Sequence, residues 1–205
     1  MTDVLRSEHE RLQRVYRGYA PVYDRLFARL YQAARARSIA SLHLSPNARV
    51  LLLGAGTGLD LRWLPADVHA VGVDMNAAML ACARSAPAPL RTDLIRADAQ
   101  AAPLRDGSFD AAILHLILSV APDPAAVISE AARCVRPGCR IAVIDVFAPG
   151  ARVSPARRAA NMLARALGTD ITRHLADIIE GRPVRVISER RELLGMYRAV
   201  LLERV

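Results

Sequence analysis

The sequence contains no lysine; all 28 of its basic residues are arginine. Such uniformity reflects the base composition of a genome before it reflects chemistry, so the formal charge of +8 acquires meaning only where it is located along the chain. Cysteine is also sparse. Cys82, Cys134 and Cys139 are odd in number and have neither CxxC nor CxxH spacing, which argues against a disulfide framework and a zinc site and fits a reducing cytoplasm. No metal site is expected. Long apolar runs are missing too: the longest, "AAILHLILSV", falls far short of the roughly 20 residues that cross a bilayer. The opening "MTDVLRSEHERLQR" is charged from its third residue and lacks the apolar segment of a signal peptide. A cytoplasmic protein is expected, soluble or peripheral to the inner face of the membrane.

What is present is an ordinary globular balance, 53% hydrophobic and 23% charged residues in a chain of 205, enough to bury a full core in a single domain. Residues 1–45 hold eight arginines against four acids, residues 46–150 nine against ten, and residues 151–205 eleven against six. The centre is neutral and the flanks are basic. Arginine-rich flanks read either as solvated helix faces or as a surface for an anionic partner or membrane.

Hydrophobic period supplies the architecture. Short apolar runs at 48–54, 68–74, 94–97, 109–116 and 140–147 read as strands, and 76–85 and 123–135 as helices between them. Asp74 and Asn76 can cap the first helix, and Asp123 followed by Pro124 caps the second. Strands alternating with helices imply a mostly parallel, doubly wound α/β sheet covered on both faces. Two final strand-like runs within 182–205 suggest an antiparallel hairpin at one sheet edge. Residues 1–45 form a helical leader in which Tyr16, Tyr19, Tyr23, Phe27 and Tyr31 recur at spacings of three or four, with Pro21 setting a corner at Ala20. Such a stripe serves as core or as a lid over a ligand.

The stretch "VLLLGAGTGLD" (50–60) ends a strand in glycines at alternate positions, Gly54, Gly56 and Gly58. Glycine there permits positive φ and removes the Cβ that would strike a ligand at the carboxyl ends of the strands. A dinucleotide fingerprint would require glycine where Leu59 stands. Asp74 closes the second strand, placed to accept hydrogen bonds from vicinal ribose hydroxyls or, more simply, to cap the following helix.

"VLLLGAGTG", "VGVDMNAAML", "ADAQAAPLRDGSFD" and "CVRPGCRIAVIDVF", in this order and spacing, resemble the successive motifs of class I S-adenosylmethionine-dependent methyltransferases. The leader "VYRGYAPVYDRLF" is similar to the corresponding segment of the branch holding quinone C-methyltransferases and bacterial phospholipid N-methyltransferases. The resemblance implies a Rossmann-like sheet of seven strands, with 1–45 as a cap, 46–150 as the cofactor-binding core, 151–181 as acceptor-side helices and 182–205 as the hairpin. It puts Gly54, Ala55, Gly56 and Gly58 in the loop against the methionine and ribose, Asp74 on the ribose hydroxyls and Met75 against the adenine. Asp98 would bind the adenine amino group and Ala99 its ring edge through the backbone. His115 falls where the family contacts the methionine amino group, and Tyr16 and Tyr23 lie in the covering leader; His115 and Tyr23 are the catalytic candidates.

This chain departs from the family twice. Leu52 stands where an acid usually precedes the first glycine by two residues, and Cys139 replaces the last glycine of RPGG, where only a turn is expected to change. His115 in an apolar strand also reads as a packed position, Asp110 as structural, and Arg173 and His174 as members of an acceptor-side helix. The expected activity is methyl transfer from S-adenosylmethionine to a hydrophobic or lipid-like acceptor, a phospholipid amine or a quinone. The alternatives are a soluble small-molecule acceptor and a cofactor-binding protein without turnover. A nucleic-acid partner is not expected, since no NPPY-like or cysteine-nucleophile motif is present. In "RVSPARRAANMLARAL", Arg157, Arg158 and Arg165 are expected to share a polar face opposite Met162, Leu163 and Leu167 and to meet an anionic membrane.

Overall fold

The computed structural model describes residues 31–150, 152–192 and 195–205. Tyr16, Tyr19, Tyr23 and Phe27, with the corner at Pro21, lie outside the described residues. Strands β1 (Arg49–Leu53), β2 (His69–Asp74), β3 (Arg91–Arg96), β4 (Phe109–His115), β5 (Val135–Asp145), β6 (Val184–Glu192) and β7 (Tyr197–Arg204) form one seven-stranded sheet. Their order is β3-β2-β1-β4-β5-β7-β6, parallel from β3 through β5 and antiparallel where β7 meets β5 and β6. The helices are α1 (31–40), α2 (Ala77–Ala83), α3 (Pro124–Cys134), α4 (Pro155–Ala166) and α5 (Leu175–Ile179). This is the Rossmann-like doubly wound architecture with a C-terminal hairpin.

Alternation along the strands builds a core on each side of the sheet. Leu51 and Leu53 of β1 join Ala112 and Leu114 of β4 beneath Val127 and Ile128 of α3 and Leu175 of α5. Val50 and Leu52 join Ala111 and Ile113 on the other face, beneath Ile39 of α1, Leu42 and Leu61. Tyr31, the described member of the aromatic stripe, is buried and meets Tyr197 of β7 edge to face, the ring centroids 4.7 Å apart. Asn76 caps α2 by accepting from the backbone of Ala78 and Met79, and Asp123 caps α3 by accepting from Ala125 and Ala126, with Pro124 opening the helix.

Two elements differ from their sequence signals. β3 begins at Arg91, ahead of the apolar run at 94–97, because an edge strand with a half-solvated face needs no apolar alternation. β5 begins at Val135, so "RPGC" is not a turn before the strand but an excursion within it. Phe109 pairs with Val135 and Ala111 with Arg140, and Gly138, at φ +77°, takes the left-handed conformation in between. Cys139 therefore sits inside a bulged strand.

Candidate active site

The order of the strands reverses between β1 and β4, and their carboxyl ends open a cavity of about 180 Å³ there. The glycine loop forms its floor. Both Gly54 and Ala55 donate their backbone N–H to the carbonyl of Val73, each at 2.9 Å, which fastens the loop to the end of β2. The three glycines serve different purposes. A Cβ on Gly54 would stand 2.6 Å from Ile117 Cδ1, and one on Gly58 would stand 3.1 Å from Ala83, so these two let the protein close upon itself. A Cβ on Gly56 would meet nothing nearer than the Gly54 carbonyl at 3.9 Å. Gly54, Ala55 and Gly56 line the cavity, whereas Gly58 stands behind the loop against α2.

Asp74 and Met75 line the same cavity. One Asp74 oxygen accepts from the Gly56 N–H and the other from the Asn76 N–H, both at 2.8 Å. Burial pushes the Asp74 carboxyl up from its ordinary value, and these two N–H groups oppose the shift. Asn76 supplies the side-chain cap of α2, so capping does not account for Asp74. Asp98 and Ala99 follow at the end of β3. Gln100 donates its backbone N–H to Asp98 at 2.9 Å and its side-chain amide to both carboxylate oxygens at 3.1 Å, and its own oxygen accepts from the Asp123 N–H. The cap of α3 thus fixes the orientation of Asp98.

Across the cavity lies a polar network that sequence reasoning missed apart from His115. Asp60, just past the glycine loop, accepts from the Arg35 guanidinium at 2.6 Å and bonds His115 Nδ1 at 2.7 Å. With an ionised Asp60, the ring N–H donates to the carboxylate, and His115 Nε2 is hydrogen-bonded to the Ser38 hydroxyl at 3.0 Å. All four residues are buried. Burial alone would raise the Asp60 carboxyl, but the charges and hydrogen bonds of Arg35 and His115 prevail and hold it well below the usual carboxylate range. Both ring nitrogens of His115 are therefore engaged within the protein. Arg35, Asp60 and His115 line the cavity and Ser38 stands behind them. Only the position of Asp60 directly after the loop could have drawn attention to it; its partners lie 25 and 55 residues away.

The acceptor-side segment is fastened to the cavity's rim. Asp170 donates its N–H to the Ser119 carbonyl at 2.7 Å, and the Arg173 guanidinium reaches the carbonyls of Leu118 and Ala121. Arg173 thus anchors this segment just ahead of α5, with His174 at the helix N-cap. The expected disposition of α4 requires correction. Arg157 turns inward, its Nε donating to the Ile171 carbonyl at 2.6 Å and an Nη to the Phe147 carbonyl at 3.1 Å, because it shares a helix face with buried Asn161. The face turned outward carries Met162, Leu163 and Leu167, which are 77, 75 and 57% exposed, with Arg158 and Arg165 exposed beside them. Asp110, read as structural, accepts from the Arg49 N–H at the start of β1 and pairs with Arg136.

A family model described as a methyltransferase domain matches residues 51–143. A phosphatidylethanolamine N-methyltransferase of Cereibacter sphaeroides is 31% identical over 145 residues, which are 69% of this chain and 70% of that protein. The chain belongs to the class I S-adenosylmethionine-dependent methyltransferases. A demethylmenaquinone methyltransferase of Lactiplantibacillus plantarum is 29% identical to this methyltransferase over 150 residues, and the match spans 67% of this chain but only 63% of that relative. The geranyl diphosphate C-methyltransferase of Streptomyces coelicolor, solved with S-adenosyl-L-homocysteine, shares the fold at a TM-score of 0.71 and 12% identity, over 84% of this chain and 76% of that one. S-adenosylmethionine is the methyl donor of the class, and the cavity fits it. Gly56 leaves the backbone uncovered, and Asp74 holds a fixed carboxylate at the same wall. Among the described residues no helix is long and apolar enough to cross a membrane.

Proposed function

We propose that this methyltransferase acts on a hydrophobic or lipid-like acceptor, a phospholipid amine or a quinone, met at an anionic membrane surface. The observation that carries this reading is the outward face of α4, where Met162, Leu163 and Leu167 stand in solvent beside Arg158 and Arg165 on a helix without an acidic residue. Apolar side chains flanked by cations suit a helix lying in a lipid interface, where each arginine contributes about 1 kcal/mol. The activities of the phospholipid and quinone relatives point the same way.

In this reading residues 46–150 hold the cofactor, 1–45 cover it, 151–181 receive the acceptor and 182–205 close the sheet, all within one domain. Asp74 takes the ribose hydroxyls, Met75 packs on the adenine, Asp98 accepts from its amino group and the Ala99 backbone meets the ring edge. The loop at Gly54–Gly56 underlies the sulfur and ribose, backed by Gly58. When bound, the cofactor supplies an electrophilic methyl group on a sulfonium. The chain's own contribution is alignment and exclusion of water, which can account for several kcal/mol of barrier lowering. His115 acts by position, since both its nitrogens are occupied. Tyr16 and Tyr23 remain proposed parts of the cover, with aromatic faces suited to a sulfonium.

The test is transfer of labelled methyl groups to vesicles containing phosphatidylethanolamine and anionic lipid, to quinones and to soluble metabolites. Label in the organic phase, with transfer falling as salt rises, is expected. Label confined to soluble products overturns the lipid reading in favour of a small-molecule acceptor.

A further inference from the structure

We infer that Arg35 and Asp60 form the receptor for the amino-acid end of the cofactor, Arg35 facing its α-carboxylate and Asp60 its α-ammonium, with His115 and Ser38 holding the pair in place. The inference rests on the cofactor orientation proposed above, with the adenosine lying toward Asp74 and Asp98. Arg35 is the only arginine lining the cavity among the described residues, and it stands with Asp60 at the β1–β4 side, away from the carboxylates at the ends of β2 and β3. A methionine arm carries a carboxylate and an ammonium on one carbon, and in a buried site each charge requires an opposite partner. An Arg–Asp couple meets both requirements at once, because its charges lie antiparallel to those of the zwitterion, each opposite its counter-charge.

The couple also explains a departure in the glycine motif. Where the family usually carries an acid, Leu52 lies buried in the apolar layer under α1. Leu52 pairs with Ile113 in the register of β1 and β4, and His115 is the next residue of β4 on that face. Asp60, bonded to His115, thus returns a carboxylate to the same sheet face, nearer the cavity. Arg35 and Ser38 come from consecutive turns of α1 and clamp the two ends of this arrangement. His115 and Ser38 are accordingly positioning residues.

The test compares S-adenosylhomocysteine with 5′-methylthioadenosine, which keeps the adenosine and the thioether but lacks the amino-acid arm. Calorimetry should show the wild-type protein binding S-adenosylhomocysteine at least about tenfold more tightly. Arg35→Gln should abolish that preference while changing methylthioadenosine affinity less than about threefold, and Arg35→Lys should restore part of it. Equal losses for both ligands, or no loss for either, overturn the inference. If Arg35→Gln fails to fold, the wild-type protein decides the matter with the decarboxylated analogue of S-adenosylhomocysteine: weakening of about tenfold supports the contact and unchanged affinity refutes it. Methylthioadenosine binding to the wild type reports on the adenosine end separately, so failure of the clamp and failure of the proposed cofactor orientation give different results.

Discussion

The two ends of the cavity are built differently. At one end, Asp74 and Asp98 lie at the carboxyl ends of neighbouring strands and are held by N–H groups, from Asn76 and Gln100 two residues on and from Gly56 in the glycine loop, in a half-buried setting. At the other end, Arg35, Ser38, Asp60 and His115 are buried side chains drawn from three separate stretches of chain and held by one another. The first end is local backbone geometry with carboxylates added. The second depends on tertiary structure, and its charges stay in place only while all partners remain.

The largest expected effect tests that dependence. Asp60→Ala leaves Arg35 and His115 facing each other without a carboxylate, and breaking such a buried pair costs about 3–5 kcal/mol of folding stability. Urea unfolding measures it, and a loss below 1 kcal/mol would mean that the second end is as locally supported as the first. Asp74→Ala should instead weaken S-adenosylhomocysteine binding by about 1–3 kcal/mol, through unpaired hydroxyls, with the folding midpoint little changed. Calorimetry and thermal unfolding on the same sample separate the two quantities.

Acid distinguishes the ends in one titration. The raised Asp74 carboxyl takes up its proton above the ordinary value of 3.8, whereas Asp60 is held well below it. Cofactor binding should therefore weaken as pH falls through the Asp74 transition while the Arg35–Asp60 pair is still intact. The linkage signs are opposite: protonation of Asp74 favours the folded state, and the stability contributed by Asp60 is present above its unfolded-state value and lost only as pH falls through its lower folded value. Binding isotherms and circular dichroism across this range should give two separate midpoints; a single shared midpoint would join the ends. The smallest effect lies outside the cavity. Arg158→Glu with Arg165→Glu should reduce association with anionic vesicles by about 1 kcal/mol per residue and spare cofactor affinity. Arg157→Glu should destabilise α4 instead, since Arg157 is anchored to the carbonyls of Phe147 and Ile171.

The same contrast governs what the sequence could disclose. The strand–helix alternation, the caps at Asn76 and Asp123 and the final hairpin all arise from short-range pattern, and each appears where the periodicity puts it. The grouping of Gly54, Gly56, Asp74 and Asp98 at one cavity was legible for the same reason, because these residues sit at strand ends with fixed spacing. Arg35 and Ser38 were not, since nothing in an Arg-rich helix marks which guanidinium turns inward; Arg157 shows the same difficulty on α4. The early start of β5 escaped because proline and glycine in "RPGC" read as a turn, and only pairing with Phe109 makes those residues part of a strand. Tyr16 and Tyr23 keep the roles proposed for them on resemblance alone, whereas Gly58, packed against α2 and not lining the cavity, backs the loop from behind.

The place of β7 in the sheet gives the molecule a history. This strand is made after all the others yet lies between β5 and β6, so neither the hydrogen bonding of β5 nor the burial of its side chains is finished until residues 197–204 have left the ribosome. Helix α1 awaits the same event: Tyr31 packs on Tyr197, and Arg37 pairs with Glu192 at the end of β6. The helix that carries Arg35 is synthesised early but gains these supports last. The glycine loop and Asp74 are thus made, with β1 and β2, long before the helix on the other side of the cavity has all of its supports.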